Sequence, residues 1–306
     1  MADNDRKNTV ETTGHVWDDD LREYNNPLPS WWTYAFYITI VFAVVYWLIY
    51  PSWPLATGFL TGVSKIEYVN TGGENESWHW NTRAKLLREM QDAAAEQKTY
   101  YDRIAAMSYE AVAKDPELFS FVQSAGKALI SDNCAASQQS GGGGKIGLFP
   151  NLTDDDWMYG GSHDAIYTTI AHGRQGYMPG FAEALSAAQV DALSSYVLSL
   201  SGEPADAALA AQGKTLFHSR AAACYYCHGD NAKGRLDIGS ANLTDKIWVW
   251  ADVPGSEDPA AKLAAVRGVI QHGLDRGVMP AWEGRLKPEQ MRVLTLYVHD
   301  ALGGGQ

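Results

Sequence analysis

"AACYYCHGDNAKG", residues 222–234, decides how this chain is read. Cys224, Tyr225, Tyr226, Cys227 and His228 spell C-x-x-C-H, the pattern of c-type haem attachment. Two thiols three positions apart can add to the two vinyl groups of one porphyrin, and the histidine that follows offers an imidazole nitrogen to its iron. Three other readings fit less well. A structural zinc site wants four ligands, usually as two paired clusters, and a chain with three cysteines has no second pair. A thioredoxin-like redox pair wants an α/β context, whereas the flanking pattern is helical. A disulfide between Cys224 and Cys227 would leave His228 without a purpose.

Working outward, an electron carrier needs a soft, neutral sixth ligand, and Met279 in "GVMPAW" lies 51 residues beyond His228. A His/Met pair raises the reduction potential and closes both iron faces, which favours electron transfer over oxygen binding. Most methionines are core filler. This one recurs, however, as Met178 in "GYMPGF", because the region is a tandem repeat. "GKALISDNC" at Gly126 matches "GKTLFHSRAAAC" at Gly213, and "NLTD" occurs at Asn151 and Asn242. "IAHGRQGYMPGF" at Ile170 matches "IQHGLDRGVMPAW" at Ile270, and "AAQVDALSSYVLSL" matches "PEQMRVLTLYVHDA". The offset grows in order from 87 residues (126 to 213) to 101 (187 to 288), as a duplication with small loop insertions would leave it. His172 and His272 recur too, each before a glycine, and read as loop or haem-propionate contacts rather than ligands.

Each copy opens on a helix running into its cysteine and closes on an amphipathic helix: Val190, Leu193, Tyr196, Val197 and Leu200 in one, Met291, Leu294, Tyr297 and Val298 in the other. Domains of roughly 80 to 90 residues have little room for an apolar core, and a covalent cofactor would supply what is missing. "SGEPADAA", residues 201–208, links the copies.

The first copy is broken. Cys134, Ala135, Ala136, Ser137 and Gln138 stand where the motif belongs, so the second thiol and the proximal imidazole are both absent. Cys134 could hold a porphyrin by one bond at most. Three explanations stay open: a haemless structural remnant, an engineered or misread form of an ordinary dihaem protein, or a haem with unusual ligation. Ser for Cys and Gln for His are each one-base changes. Met178 survives all the same. Tandem domains also allow crossed ligation, with Met178 serving the haem on Cys224 and Cys227 and Met279 serving the lost one, so both methionines are carried as candidates.

Ahead of the repeat, Trp31–Tyr50 is a twenty-residue run without a charge, long enough at ~1.5 Å per residue to cross a bilayer's hydrocarbon core. Trp31, Trp32, Tyr46, Trp47, Tyr50 and Trp53 crowd its ends, as rings at headgroup level do. The thirty residues before it are too long and too acidic for a signal peptide's lead. From Thr82 to Ala113 the pattern is helical, and "TGGENES" (71–77) reads as a loop. A net charge of −12 argues against nucleic-acid binding, which needs basic surface. The chain shows no catalytic carboxylate pair, nucleophile motif or phosphate loop, so it is not expected to be an enzyme on its own.

The second copy resembles a class I-type cytochrome c domain. The whole chain, with "GHVWDDDLREYNNPLPSWW" (14–32), one span, a linker and two such domains, resembles the dihaem subunit III (the P subunit) of cbb3-type cytochrome c oxidases. The resemblance implies a mainly α protein: a cytoplasmic segment 1–30, a transmembrane helix 31–50, a periplasmic linker 51–125, a cytochrome c-like domain 126–202 with a degenerate motif, and a haem c domain 209–306. It implies an electron-transfer subunit in aerobic respiration, taking electrons from a donor cytochrome c or a quinol–cytochrome c reductase. A second membrane-anchored cytochrome c subunit and a catalytic haem–copper subunit would be its partners. Haem c is attached outside the bacterial cytoplasm, which places the C-terminal domains in the periplasm and the anchor in the inner membrane. In that family both domains carry C-x-x-C-H; this chain as written is expected to hold one haem c. The alternative is a free-standing, membrane-anchored c-type cytochrome that shuttles electrons to other reductases.

Overall fold

The computed structural model describes residues 11–70, 72–139, 141–275 and 278–303, so the start of the expected 1–30 segment and the last three residues of the expected 209–306 domain lie outside the described residues. The chain forms two compact units, one up to Glu96 and one from Gln97 onward.

The first unit begins with a hairpin, β1 (Thr12–Trp17) and β2 (Leu21–Tyr24). "WDDD" makes its turn: Asp18 and Asp19 take φ of 47° and 69°, a region that short polar side chains tolerate. Helix α1 (Ser30–Ile49) follows Pro29, carries no charged residue and buries none of its side chains against the protein, as a helix bathed in lipid would. Tyr50 is extended because Pro51 forbids helical geometry to the residue before it. Two further hairpins follow, β3 (Pro54–Leu55) with β4 (Gly58–Phe59), and β5 (Lys65–Val69) with β6 (Asn75–His79). "TGGENES" is therefore only partly a loop. Asn70 accepts bonds from the backbone N–H groups of Gly72 and Glu74 and closes the turn, while Asn75, Glu76 and Ser77 belong to β6. The long helix α2 (Thr82–Ala106) comes next.

The second unit contains the repeat. Its elements are α3 (Tyr109–Lys114), α4 (Pro116–Asn133), α5 (Ala135–Gln138), α6 (His163–His172), β7 (Arg174–Gln175), α7 (Ala187–Leu200), α8 (Ala207–Phe217), α9 (Cys224–His228), α10 (Pro259–His272), β8 (Val278–Met279) and α11 (Pro288–Leu296). The chain then widens into a π-turn, Tyr297–Ala301. Helix starts are capped by their sequence. Asp115 before Pro116 accepts from the Glu117 and Leu118 N–H groups, Asp258 before Pro259 accepts from Ala260, and Ser186 with Gln189 forms a capping box. The helical run expected from 82 to 113 breaks at Ser108, which caps α3.

The packing does not follow the repeat frame. One core joins Leu118, Val122 and Ile130 of α4 and Ile166 and Ile170 of α6 to Met291, Val293 and Leu294 of α11, with Cys134, Trp157 and Met279 against it. The other joins Val190, Leu193 and Val197 of α7 to Phe217 of α8 and Val266 and Ile270 of α10, with Cys224, Trp248 and Met178 against it. Each core thus takes its opening half from one copy and its closing helix from the other. The exchange is fastened where β7 pairs antiparallel with β8, Arg174 opposite Met279, and where Met178 and Leu274 exchange backbone bonds of 2.9 and 2.8 Å.

Candidate haem site

A continuous cavity of about 790 Å³ runs through the second unit, lined by residues of both cores. Its walls include Cys224, Cys227, His228 and Met178 around one end of the repeat, and Cys134, Ser137, Gln138 and Met279 around the other.

At the intact motif, α9 is a single turn held by its neighbours. The Gly234 N–H donates to His228 O at 2.8 Å, and the Ser240 hydroxyl donates to Cys227 O at 2.5 Å. His228 Nδ1 lies 2.9 Å from Ala241 O, so as a donor it leaves Nε2 as the free, electron-rich nitrogen. Burial pulls the imidazole pKa down, which keeps it neutral, the state that binds iron. Burial also pushes the Cys224 thiol up to about 11. A thiol so hard to ionise is neither a ready redox nucleophile nor a preformed zinc ligand. All three cysteines are free thiols.

The cavity wall also carries polar groups that want a partner. Trp157 and Trp248 line it, and both indole N–H groups are buried without a partner. Asp156, also on its wall, has one carboxylate oxygen in the same condition. The sequence carries a signal for the two tryptophans that the haem motif does not: each stands six positions after the asparagine of its "NLTD". A carboxylate-bearing, otherwise apolar cofactor would satisfy Trp248 and fill the space beside Cys224, Cys227 and His228. The intact end therefore fits a haem.

The degenerate end does not fit a covalent one. The Ser137 hydroxyl donates to Cys134 O at 3.1 Å and is satisfied locally. Gln138 Oε1 is buried without a hydrogen-bond partner where an imidazole would stand. Cys134 is half-buried, its pKa raised by that burial. Otherwise the two ends are built alike. Asn151 and Asn242 each accept from the threonine two residues on, and Gly173 and Gly273, at φ of 71° and 66°, each sit against the Met–Pro backbone of the other copy. His172 and His272 are exposed, and His172 lies 3.4 Å from Glu283.

A helix long and apolar enough to cross a membrane, followed by two interleaved cytochrome c folds with one complete attachment motif, defines a membrane-anchored c-type cytochrome. Residues 122–197 and 208–298 match the family described as cytochrome c oxidase, cbb3-type, subunit III, and residues 9–57 match the N-terminal domain of cytochrome oxidase-cbb3, FixP. The cbb3-type cytochrome c oxidase subunit FixP of Azorhizobium caulinodans is 40% identical over 304 residues, 96% of this chain and 94% of that one. The FixP subunit of a Bradyrhizobium species is 39% identical over the whole of both chains, and the CcoP subunit of Cereibacter sphaeroides 36% identical over 96% and 95%. The chain belongs to the cbb3-type cytochrome c oxidase subunit III family, whose members are cytochrome c subunits of an oxidoreductase complex. It is an electron-transfer subunit that binds haem c.

Proposed function

We propose that this chain carries one covalent haem c, on Cys224 and Cys227, with His228 as proximal ligand and Met178 of the other copy as the sixth. The observation that carries this reading is the packing of Met178 in one core with Cys224, Phe217 and Trp248, while Met279 packs with Cys134. When bound, the haem supplies reversible one-electron storage at its iron. The protein's part is to hold and shield it. Ala241 O orients the His228 ring, the Met178–Leu274 backbone pair fixes the methionine loop, and Val266, Ile270 and Leu193 keep the pocket apolar. With His228 and Met178 both holding it, the haem would suit electron transfer rather than oxygen binding.

The partners follow from the family. Electrons would come from a donor cytochrome c or a quinol–cytochrome c reductase. They would leave toward a second membrane-anchored cytochrome c subunit and the catalytic haem–copper subunit. The anchor would lie in the bacterial inner membrane with the N-terminus cytoplasmic and residues from 51 onward periplasmic, the side where haem c is attached. The sequence boundaries 126–202 and 209–306 then describe the duplicated unit, and the haem belongs to the second. A pyridine haemochrome assay on protein of verified mass tests the count: one haem per chain is expected, and two would refute it. Purification in mild detergent tests the assembly. Recovery with a haem–copper subunit is expected; recovery of the cytochrome alone would favour a free-standing shuttle.

A further inference from the structure

Away from the haem cavity, His163, His299 and Asp300 come together where the π-turn meets the first turn of α6. One ligand-type atom from each lies within 4.8 Å of the others. His163 Nε2 stands 2.9 Å from Asp300 Oδ2, and His299 Nδ1 stands 3.1 Å from Asp300 Oδ1. The side chains are 15%, 15% and 17% exposed, so the cluster is sheltered yet reachable from solvent. We propose that this cluster is a site for a divalent transition-metal ion of the zinc class, bound by His163 Nε2, His299 Nδ1 and the Asp300 carboxylate.

Four observations converge on it. The donor set, two imidazoles and a carboxylate, is one that zinc and its first-row neighbours accept, with copper(II) the tightest by the usual order. The spacing of each imidazole nitrogen from the carboxylate is close to what is needed: bonds of about 2.0–2.1 Å in a tetrahedral shell put neighbouring donors roughly 3.3 Å apart, a few tenths beyond these two separations, and the two nitrogens lie within 4.8 Å of each other. The charge calls for a cation. Among the described residues, Asp300 pairs with no lysine or arginine, only with the two histidines. Finally, His299 Nδ1 is buried without a well-formed hydrogen bond, although the Asp300 carboxylate is its neighbour.

The local fold explains the arrangement. Consecutive residues on an α-helix diverge around its axis, and a π-turn is wider, so neighbouring side chains diverge less; such turns are rare and tend to mark functional sites. Here His299 and Asp300 both reach His163, the two rings stacking at 3.8 Å and 28°; their in-plane lone pairs then run side by side, and taking up an ion requires the His299 ring to turn toward the Asp300 carboxylate. Tyr109 stacks on the other side of His163 at 4.5 Å, and Arg292 covers the far face of Tyr109 at 4.0 Å. The Arg292 charge thus sits beyond an intervening ring. Three protein donors leave at least one position for water. An ion there would clip α6 of the first copy to the chain end contributed by the second.

The test uses the full tag-free chain in detergent, stripped with a chelator and titrated calorimetrically with zinc chloride near pH 7.5. One equivalent should bind and raise the melting temperature. His163→Gln keeps a side chain that can donate to Asp300, and it should weaken zinc binding by about tenfold or more, as should Asp300→Asn. His15→Gln, at an exposed histidine of the first hairpin, should change nothing, and the Soret spectrum should be the same in all four proteins. Absence of one-to-one binding to the unmodified chain overturns the proposal. So does an affinity that His163→Gln leaves unchanged, which would make the cluster a hydrogen-bonded His–Asp–His stack.

Discussion

Gly213 of the second copy lies directly against Tyr196 of the first: a methyl group built at Gly213 would stand 2.7 Å from Tyr196 Cβ. Gly126 stands in the same relation to Tyr297, with 2.5 Å to the tyrosine Cβ. Both contacts are crossings of an opening helix with the other copy's closing helix or the turn that ends it. In an unobstructed helix, glycine to alanine gains about 1 kcal/mol. At these crossings overpacking should win, and Gly213→Ala should lose about 2 kcal/mol or more. Gly268, in α10, meets nothing within 4 Å and provides the contrast. Gly268→Ala should raise the melting temperature where Gly213→Ala and Gly126→Ala lower it.

Crossed ligation predicts which methionine tunes the haem. Met178→Leu should lower the midpoint potential and alter the visible spectrum, because loss of a thioether ligand removes a group that favours ferrous iron. Met279→Leu should leave both nearly unchanged. A redox titration of the two variants decides, and a larger shift for Met279→Leu would mean ligation within the second copy.

The degenerate motif should be repairable. Its pocket keeps Cys134, Trp157 and Met279 on the cavity wall, and only Ser137 and Gln138 depart from the motif. Ser137→Cys together with Gln138→His, expressed with haem-attachment machinery, should take the haemochrome count from one per chain to two. A count that stays at one would mean the pocket has lost more than its ligands.

Asp156 should make stability depend on pH. Burial, then the charges of Asp245 and Asp154, raise its pKa from 3.8 to about 6. Between roughly pH 4 and 6 the folded chain holds a proton that the unfolded chain has released, so this residue's contribution falls as pH rises and levels off near neutrality. Two pKa units set a ceiling of about 3 kcal/mol, and partial exposure should reduce it to about 1–2. Asp156→Asn should therefore melt near the unmodified protein at pH 4.5 and above it at pH 7.5. A gap that does not change with pH would show that the carboxylate is solvated in solution.

Much of this was legible beforehand because it is written in local chemistry. The uncharged run at 31–50, the motif at 224–228 and the spacing of Leu193, Val197 and Leu200 each announce their element in one window. β5 is legible in the alternation of Lys65–Val69, with Ile66 buried, whereas the glycines and polar residues that follow it read as a loop. The crossed packing was not readable. A repeat shows that two opening helices and two closing helices exist, and the same apolar faces serve either pairing. The His163–Asp300 contact is equally silent, because its two halves lie 137 residues apart and match no motif.

The antiparallel clasp between β7 and β8 has a consequence for how the chain can be divided. A protease cut in the 201–208 linker falls at the seam of the duplication, yet each fragment would keep half of each core. The pieces would be partners in fragment complementation, held together by both shared cores and the β7–β8 pair, so the nicked chain should still elute as one coloured particle. A cut at 176–177 would instead leave the second core whole in one fragment and divide only the first. The position where the sequence divides most cleanly is thus the one where the folded protein is hardest to separate.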